Sequence, residues 1–166
     1  DKFRIRSYGI PKYNDYVFLE MKTKYKGVVG KRRIKVKLNE IDDYLENNKE
    51  TDNKILKEII YYYKFYNLQK AIYIAYDRES YKGKEDSNLR ITFDSNLRSR
   101  RNDLNFKEIK MKKYFNEDYY IMEIKTIGAL PLWLARSLSK LEIYPTSFSK
   151  YGKIYEREMK EMVKNA

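Results

Sequence analysis

The stretch Tyr119-Tyr120-Ile121-Met122-Glu123-Ile124-Lys125 decides how the rest of the chain is read. In a strand, successive side chains point to opposite faces. Ile121, Glu123 and Lys125 would then share one side, and Tyr120, Met122 and Ile124 the other. An acid and a base stand next to each other on the same face. Phe18-Leu19-Glu20-Met21-Lys22 repeats the grammar with Glu20 and Lys22. Two more segments carry it with arginine: Arg4 and Arg6 in Phe3-Arg4-Ile5-Arg6, and Arg90, Thr92 and Asp94 in Arg90-Ile91-Thr92-Phe93-Asp94. The working expectation is that these charged faces line one interior. The competing reading is a sheet whose polar face meets water, the ordinary meaning of period-two alternation. Against it, the long charges sit on strands with apolar neighbours, and Glu recurs where surface charge alone needs none.

Composition limits what such an interior holds. A chain of 166 residues suits one domain with a substantial core. Hydrophobic residues make up 42% and charged residues 36%, and 18 Tyr with 7 Phe supply large area for burial, which argues against disorder. A net charge of +12 calls for an anionic partner: nucleic acid, phosphate compounds or acidic lipid. With no Cys and no His, disulfides, thiolate nucleophiles, imidazole bases and the usual zinc sites are excluded. A metal would rest on carboxylates, which favours Mg²⁺ or Mn²⁺. The longest apolar run, Ile127 to Ala135, is interrupted by Pro131 and is shorter than the ~20 residues that span a bilayer. No signal peptide is visible, and the opening Asp1-Lys2-Phe3-Arg4 passes directly into strand pattern, which suggests that upstream residues are missing from the sequence.

Taken in order, Phe3 to Tyr8 and Tyr16 to Lys24 read as strands joined through a Gly-Pro-Asn turn. A loop over Tyr25 to Gly30 leads to a third strand, in which Lys31, Arg33, Lys35 and Lys37 share a face. Lys35 and Lys37 fit a solvated edge as well as a ligand face. Gly27 to Lys31 lacks both the glycine spacing and the Ser or Thr of a phosphate loop, so that reading is rejected. Asn39 is a candidate cap for one helix, and Thr51-Asp52-Asn53 precedes a second through Tyr66; both are read as packing elements without chemistry. Ala71 to Arg78 and Leu89 to Phe93 are expected to form a hairpin. Ser95 to Phe106 is expected to be a polar connection in which Arg98, Arg100 and Arg101 are solvated. Lys107 to Lys113 is a short strand candidate, with a turn over Tyr114 to Asp118. Pro131 suits the first turn of a helix in which Trp133 is core, and a charged helix closes the chain. The sum is about seven short, mostly antiparallel strands with inserted helices.

The ordered series Phe3-Arg-Ile-Arg-Ser-Tyr, Phe18-Leu-Glu-Met-Lys-Thr, Tyr76-Asp-Arg, Arg90-Ile-Thr-Phe-Asp, Met122-Glu-Ile-Lys, Pro131-Leu-Trp and Phe148-Ser-Lys-Tyr resembles the VTC (vacuolar transporter chaperone) polyphosphate polymerase domain. That domain belongs to the triphosphate tunnel metalloenzymes, the CYTH-like superfamily. The resemblance covers nearly the whole chain. It implies an α+β fold: an antiparallel β-barrel around a charged tunnel, with inserted helices and a C-terminal helix, as one domain over residues 1–166. The family's strands upstream of the Arg-x-Arg strand have no counterpart here, so the barrel is expected to lack its N-terminal strands.

The resemblance also implies roles. Arg78, Arg90 and Lys150 match catalytic cations. Arg4, Arg6 and Lys22 match basic residues that hold the triphosphate or the growing chain, with Tyr76 beside them. Glu123 matches the acid that binds Mn²⁺ or Mg²⁺. Lys125 is expected to contact phosphate, Glu20 to form tunnel wall at the substrate, and Ser149 to stand with Lys150 at the start of the terminal helix. The implied reaction transfers the γ-phosphate of ATP to inorganic polyphosphate. ATP and polyphosphate are the expected partners, without nucleic acid, in the cytoplasm. Two alternatives stay open: a tunnel triphosphatase using the same residues, and a non-catalytic binder of single-stranded nucleic acid through lysines and stacking tyrosines.

Overall fold

The structure, a computed structural model, describes residues 2–107, 110–114 and 119–164. It is a mixed α+β fold with two antiparallel sheets, and the chain divides into two compact units. Residues 2–71 and 105–107 belong to one unit, and residues 72–104, 110–114 and 119–164 to the other. Among the described residues the strands close no barrel: each sheet keeps its own edges.

In the first unit, β1 (Lys2–Arg6), β2 (Tyr16–Tyr25) and β3 (Val28–Lys37) pair in that order. Alternation sends Val17, Leu19, Met21 and Val36 to one face, where they are buried with Ile41 and Leu45 of α1 (Ile41–Leu45) and Leu56 and Ile59 of α2 (Lys54–Phe65). Phe3, Ile5 and Ile34 extend that face. The charged residues are thereby sent to the opposite side. Asn53 caps α2, its Oδ1 accepting the amides of Ile55 and Leu56, which satisfies two of the donors a helix start leaves open. The hairpin between β2 and β3 turns through Lys26 and Gly27, both at positive φ, the geometry that matches strand twist in a two-residue loop. The expected loop from Tyr25 to Gly30 therefore shrinks, because a tight turn lets both strands extend toward it.

In the second unit, β5 (Arg90–Arg100) is central. It pairs with β4 (Tyr73–Lys82) on one side, and with β6 (Lys112–Lys113) and β7 (Ile121–Lys125) on the other. Gly83 starts the turn between β4 and β5; a Cβ there would meet the Asp86 carbonyl oxygen at 2.4 Å. Helices α3 (Leu132–Lys140) and α4 (Lys150–Lys164) follow. The hydroxyl of Tyr114 donates to the Lys153 carbonyl, Arg157 donates to the Tyr114 carbonyl, and Arg101–Glu158 and Lys112–Glu161 ion pairs add to the docking of α4. Its Ile154 is buried, as are Leu97 and Leu134.

Several expectations are corrected. The region expected to be a polar connection after Phe93 is strand as far as Arg100, because a bulge carries β5 onward: Ala75 faces Arg98 and Asp77 faces Ser95, so Asn96 and Leu97 stand opposite Tyr76 alone. Asn96 takes the left-handed φ of 49° that asparagine tolerates. Buried residues Thr92, Asp94, Leu97 and Ser99 change parity at that point, which hid the strand from a period-two reading. Arg98 and Arg100 are accordingly not solvated loop charges, whereas Arg101 lies exposed in the bend after β5, as expected. Arg98 pairs with Asp77, Arg100 is buried over the Tyr73 ring, and Arg101 pairs with Glu158. Asn39 caps no helix; it lies in a short 3₁₀ turn over Leu38–Glu40 that precedes α1. Trp133 is 59% exposed and Leu134 is the buried residue of α3, since one turn offers its inner face to one of two neighbours. Of the short strand candidate, Lys112–Lys113 forms β6, whereas Glu108 and Ile109, and residues 115–118 of the expected turn, lie outside the described residues.

Replacing Ile59, which is fully buried, with Ala is expected to destabilise the first unit by about 3–4 kcal/mol through lost burial and a residual cavity. Ile55→Ala on the exposed side of the same helix is expected to cost less than about 1 kcal/mol. Urea unfolding of both variants by circular dichroism checks the contrast.

Candidate active site

One face of each sheet carries a cluster of charged residues, and the register aligns them across strands. On the first sheet Arg4, Glu20 and Arg33 stand in one row, and Lys2, Lys22 and Lys31 in the next. Glu20 is enclosed by cations: Arg4 Nε donates to its Oε2 at 2.5 Å, with Arg33 Nε at 3.3 Å and Arg6 Nη1 at 3.9 Å from its Oε1. Its side chain is 3% exposed. Burial alone would push this carboxyl up; the charges of Arg4 and Arg6, the Arg4 hydrogen bond and the Arg33 charge outweigh it and hold the carboxyl below its usual range. Arg33 also stacks on Phe18, 3.7 Å from the ring centre, and donates to the Tyr8 hydroxyl. That hydrogen bond favours the phenolate and lowers the Tyr8 pKa against the opposing effect of burial. Lys22 is exposed on the same face.

The second sheet repeats the design. Opposite residues share a face, so Arg78, Ser80 and Lys82 of β4 lie with Asp94, Thr92 and Arg90 of β5, and these with Ile121, Glu123 and Lys125 of β7. Asp94 is the buried acid, its side chain 1% exposed. It accepts Arg78 through both oxygens, Nε at 2.5 Å and Nη2 at 2.6 Å, and Lys150 Nζ at 2.5 Å. Burial pushes the Asp94 carboxyl up, but the hydrogen bonds and charges of Arg78 and Lys150 prevail and hold it low. The same hydrogen bond raises Arg78 beyond its already high value. Tyr76 lies beneath two of these cations, its ring centre 5.2 Å from the Arg78 guanidinium carbon and 4.5 Å from Lys150 Nζ. Ser149 stands just before α4 and its hydroxyl accepts the Gly152 amide, which fixes the first turn that carries Lys150. Arg90 donates through Nε to Ser80, 3.1 Å away, and among the described residues it makes no ion pair.

The two buried acids are committed to arginines. Glu123 is not: its side chain is 47% exposed, with Lys125 at 3.3 Å and Arg78 at 3.9 Å. The described residues hold no cluster of three metal-ligating side chains. One exposed carboxylate suits Mg²⁺ or Mn²⁺ bound through substrate phosphates, because these ions keep waters and are commonly held by one or two carboxylates plus phosphate oxygens.

Each sheet has a face on which cations surround a buried acid, and the sequence pattern of the VTC domain matches residues 1–158. The chain belongs to the VTC domain family. This family includes polyphosphate polymerases and typically uses divalent metals. A comparison with curated proteins finds no match. No described helix of this VTC domain is long and apolar enough to cross a membrane.

The VTC chain thus carries Tyr76, Arg78, Glu123, Lys125 and Lys150 in one connected set of contacts, with Arg90 on the same face and Ser149 adjacent to Lys150. Arg4, Arg6 and Glu20 form a second connected set, with Lys22 one register step away. The two sets belong to different units. Sequence reasoning passed over Asp94 and Arg33 as site residues. The signal for Asp94 was its place in the Arg90-Thr92-Asp94 alternation; that for Arg33 was its alternation with Lys31 and Lys35.

A carboxyl whose folded pKa is depressed adds stability above its unfolded value, about 4.3 for Glu. That contribution is lost as pH falls through the folded value. Glu20→Gln is therefore expected to cost on the order of 2 kcal/mol at pH 7, at the low end for a buried pair because Arg4 is half exposed. The gap to the parent chain should close as pH drops below about 4. Urea unfolding at several pH values between 7 and 3 measures it, and a gap independent of pH would remove the charge from the explanation.

Proposed function

We propose that this chain is a polyphosphate polymerase that transfers the γ-phosphate of ATP to the end of an inorganic polyphosphate chain. The observation that carries the reading is the face of the second sheet. There Glu123 is an exposed carboxylate beside Arg78 and Lys125, while Asp94, the other acid, is buried beneath Arg78 and Lys150. Such a face repels bulk anions less than it attracts them, and it keeps one oxygen donor for a metal. Family membership supports the same substrates.

In this reading residues 1–166 act as a single VTC-like domain, and the charged face of each sheet binds phosphate. Arg4, Arg6 and Lys22 hold the polyphosphate, with Glu20 acting through the arginines it orients. Arg78, Arg90 and Lys150 neutralise the charge that develops on the transferring phosphoryl group, and arginine forks match pairs of phosphate oxygens. Lys125 and Tyr76 position the phosphates, and Ser149 holds the turn that presents Lys150. Glu123 would hold Mn²⁺ or Mg²⁺, and the ion would supply Lewis-acid withdrawal of charge from phosphate oxygens. An oxygen of the terminal phosphate attacks the γ-phosphorus, the bond to the β,γ-bridging oxygen breaks, and ADP leaves. Phosphoryl transfer asks little covalent chemistry of protein, so placed cations do most of the work. The requirement for ATP assigns the reaction to the cytoplasm.

Incubation of the chain with ATP and Mn²⁺, followed by a gel that resolves phosphate chain length, is expected to give a polyphosphate ladder. Glu123→Ala should abolish it, and Arg90→Ala should lower turnover by about 10²-fold or more. Orthophosphate without a ladder would make the protein a tunnel triphosphatase, and neither product would overturn the enzymatic reading.

A further inference from the structure

Asp94 occupies a position that its chemistry alone does not require. It lies in the middle of the central strand, opposite Arg78 on β4 and Ile121 on β7. Both oxygens are engaged by cations: Oδ1 takes Arg78 Nε, and Oδ2 takes both Arg78 Nη2 and Lys150 Nζ. The pair with Arg78 is a fork against a fork, the geometry that fixes the plane of a guanidinium as well as its place. Nη2, held by Asp94, is also the nitrogen nearest Glu123. Lys150 is the first residue of α4, so the same carboxylate ties the start of that helix to the sheet.

We infer that Asp94 is a positioning residue, which aims Arg78 and Lys150 at the phosphates of a bound polyanion from beneath. The inference rests on the polyphosphate reading for the identity of that anion, though its geometry is independent of turnover. A flexible arginine would otherwise spend conformational freedom on each phosphate contact. Two cations drawn to one carboxylate also lose much of the repulsion that would keep them apart before the anion arrives. Asp94 thereby supplies a prearranged pair of donors, which is the condition for electrostatic stabilisation without rearrangement during reaction.

A double-mutant cycle on tripolyphosphate binding, measured by calorimetry at fixed salt, tests this. In the parent chain Arg78→Ala is expected to weaken binding about tenfold or more, as for loss of a hydrogen bond to a charged group. In an Asp94→Asn background, where the fork is lost, the same change is expected to weaken binding less than threefold. Equal effects in the two backgrounds, or no effect of Arg78→Ala in the parent, would overturn the inference. Should Asp94→Asn fail to melt cooperatively, Asp94→Glu takes its place. It keeps the charge but moves the fork by one methylene, and it must reduce the Arg78 effect in the same way; an undiminished tenfold effect would again overturn the inference. A coupled cycle in a chain that makes no polyphosphate would sink the polymerase reading and leave Asp94 as a positioning residue for a bound polyanion.

Discussion

Cations of like sign crowd both sheet faces, and that crowding is tolerable because a buried carboxylate sits among them. Glu20 does this for Arg4, Arg6 and Arg33, and Asp94 for Arg78 and Lys150. Each acid is nearly removed from water and holds its charge against the desolvation that opposes it, because several donors converge on it. The cations keep part of their surface exposed while their inward edges are fixed. The balance is asymmetric in a useful way: acids are sunk, bases are displayed, and the face presented to solvent is more positive than the composition of the sheet.

This arrangement depends on the apolar side of each strand. On the first sheet, Val17, Leu19, Met21 and Val36 are buried with two short helices, and register then dictates that Glu20 and its arginines face the other way. A slip of one residue would put Glu20 into the hydrocarbon core and Leu19 among the arginines. The hydrophobic pattern and the charged pattern therefore enforce one another. The second sheet differs: along β5 the buried Leu97 lies on the same side as Thr92, Asp94 and Ser99, by virtue of the bulge.

Much of this was legible in the sequence, and the reasons are specific. The grammar Glu-x-Lys and Arg-x-Arg announced the shared faces, because period two in a strand fixes which residues are neighbours in space; Arg90 and Lys125 do pair in register, as do Arg4 and Glu20. The helix after Thr51-Asp52-Asn53 and the one that starts at Pro131 were readable because helix starts depend on local residues, although Pro131 stands at the N-cap, one position before the first turn. What escaped were features set by partners distant in sequence. Nothing within a few residues of Asp94 shows that Lys150 will reach it, 56 positions later (150 − 94). The exposure of Trp133 is decided by which side of a short helix meets its unit, a choice that periodicity over nine residues leaves open. The extension of β5 past Phe93 was hidden by a single residue that breaks the alternation.

That residue, Asn96, gives the strand a reading frame. Upstream of it even-numbered positions point inward, and downstream odd-numbered ones do. Loss of Asn96 itself would restore a straight ladder and leave Leu97 opposite Tyr76 on the inner side, whereas loss of a residue elsewhere in β5 would turn either Leu97 and Ser99 outward or Asp94 and Arg90 away from their partners. Length variation in the family should accordingly be absorbed in the polar turn between Gly83 and Leu89 and be rare between Arg90 and Arg100, where one codon shifts the meaning of every position beyond it.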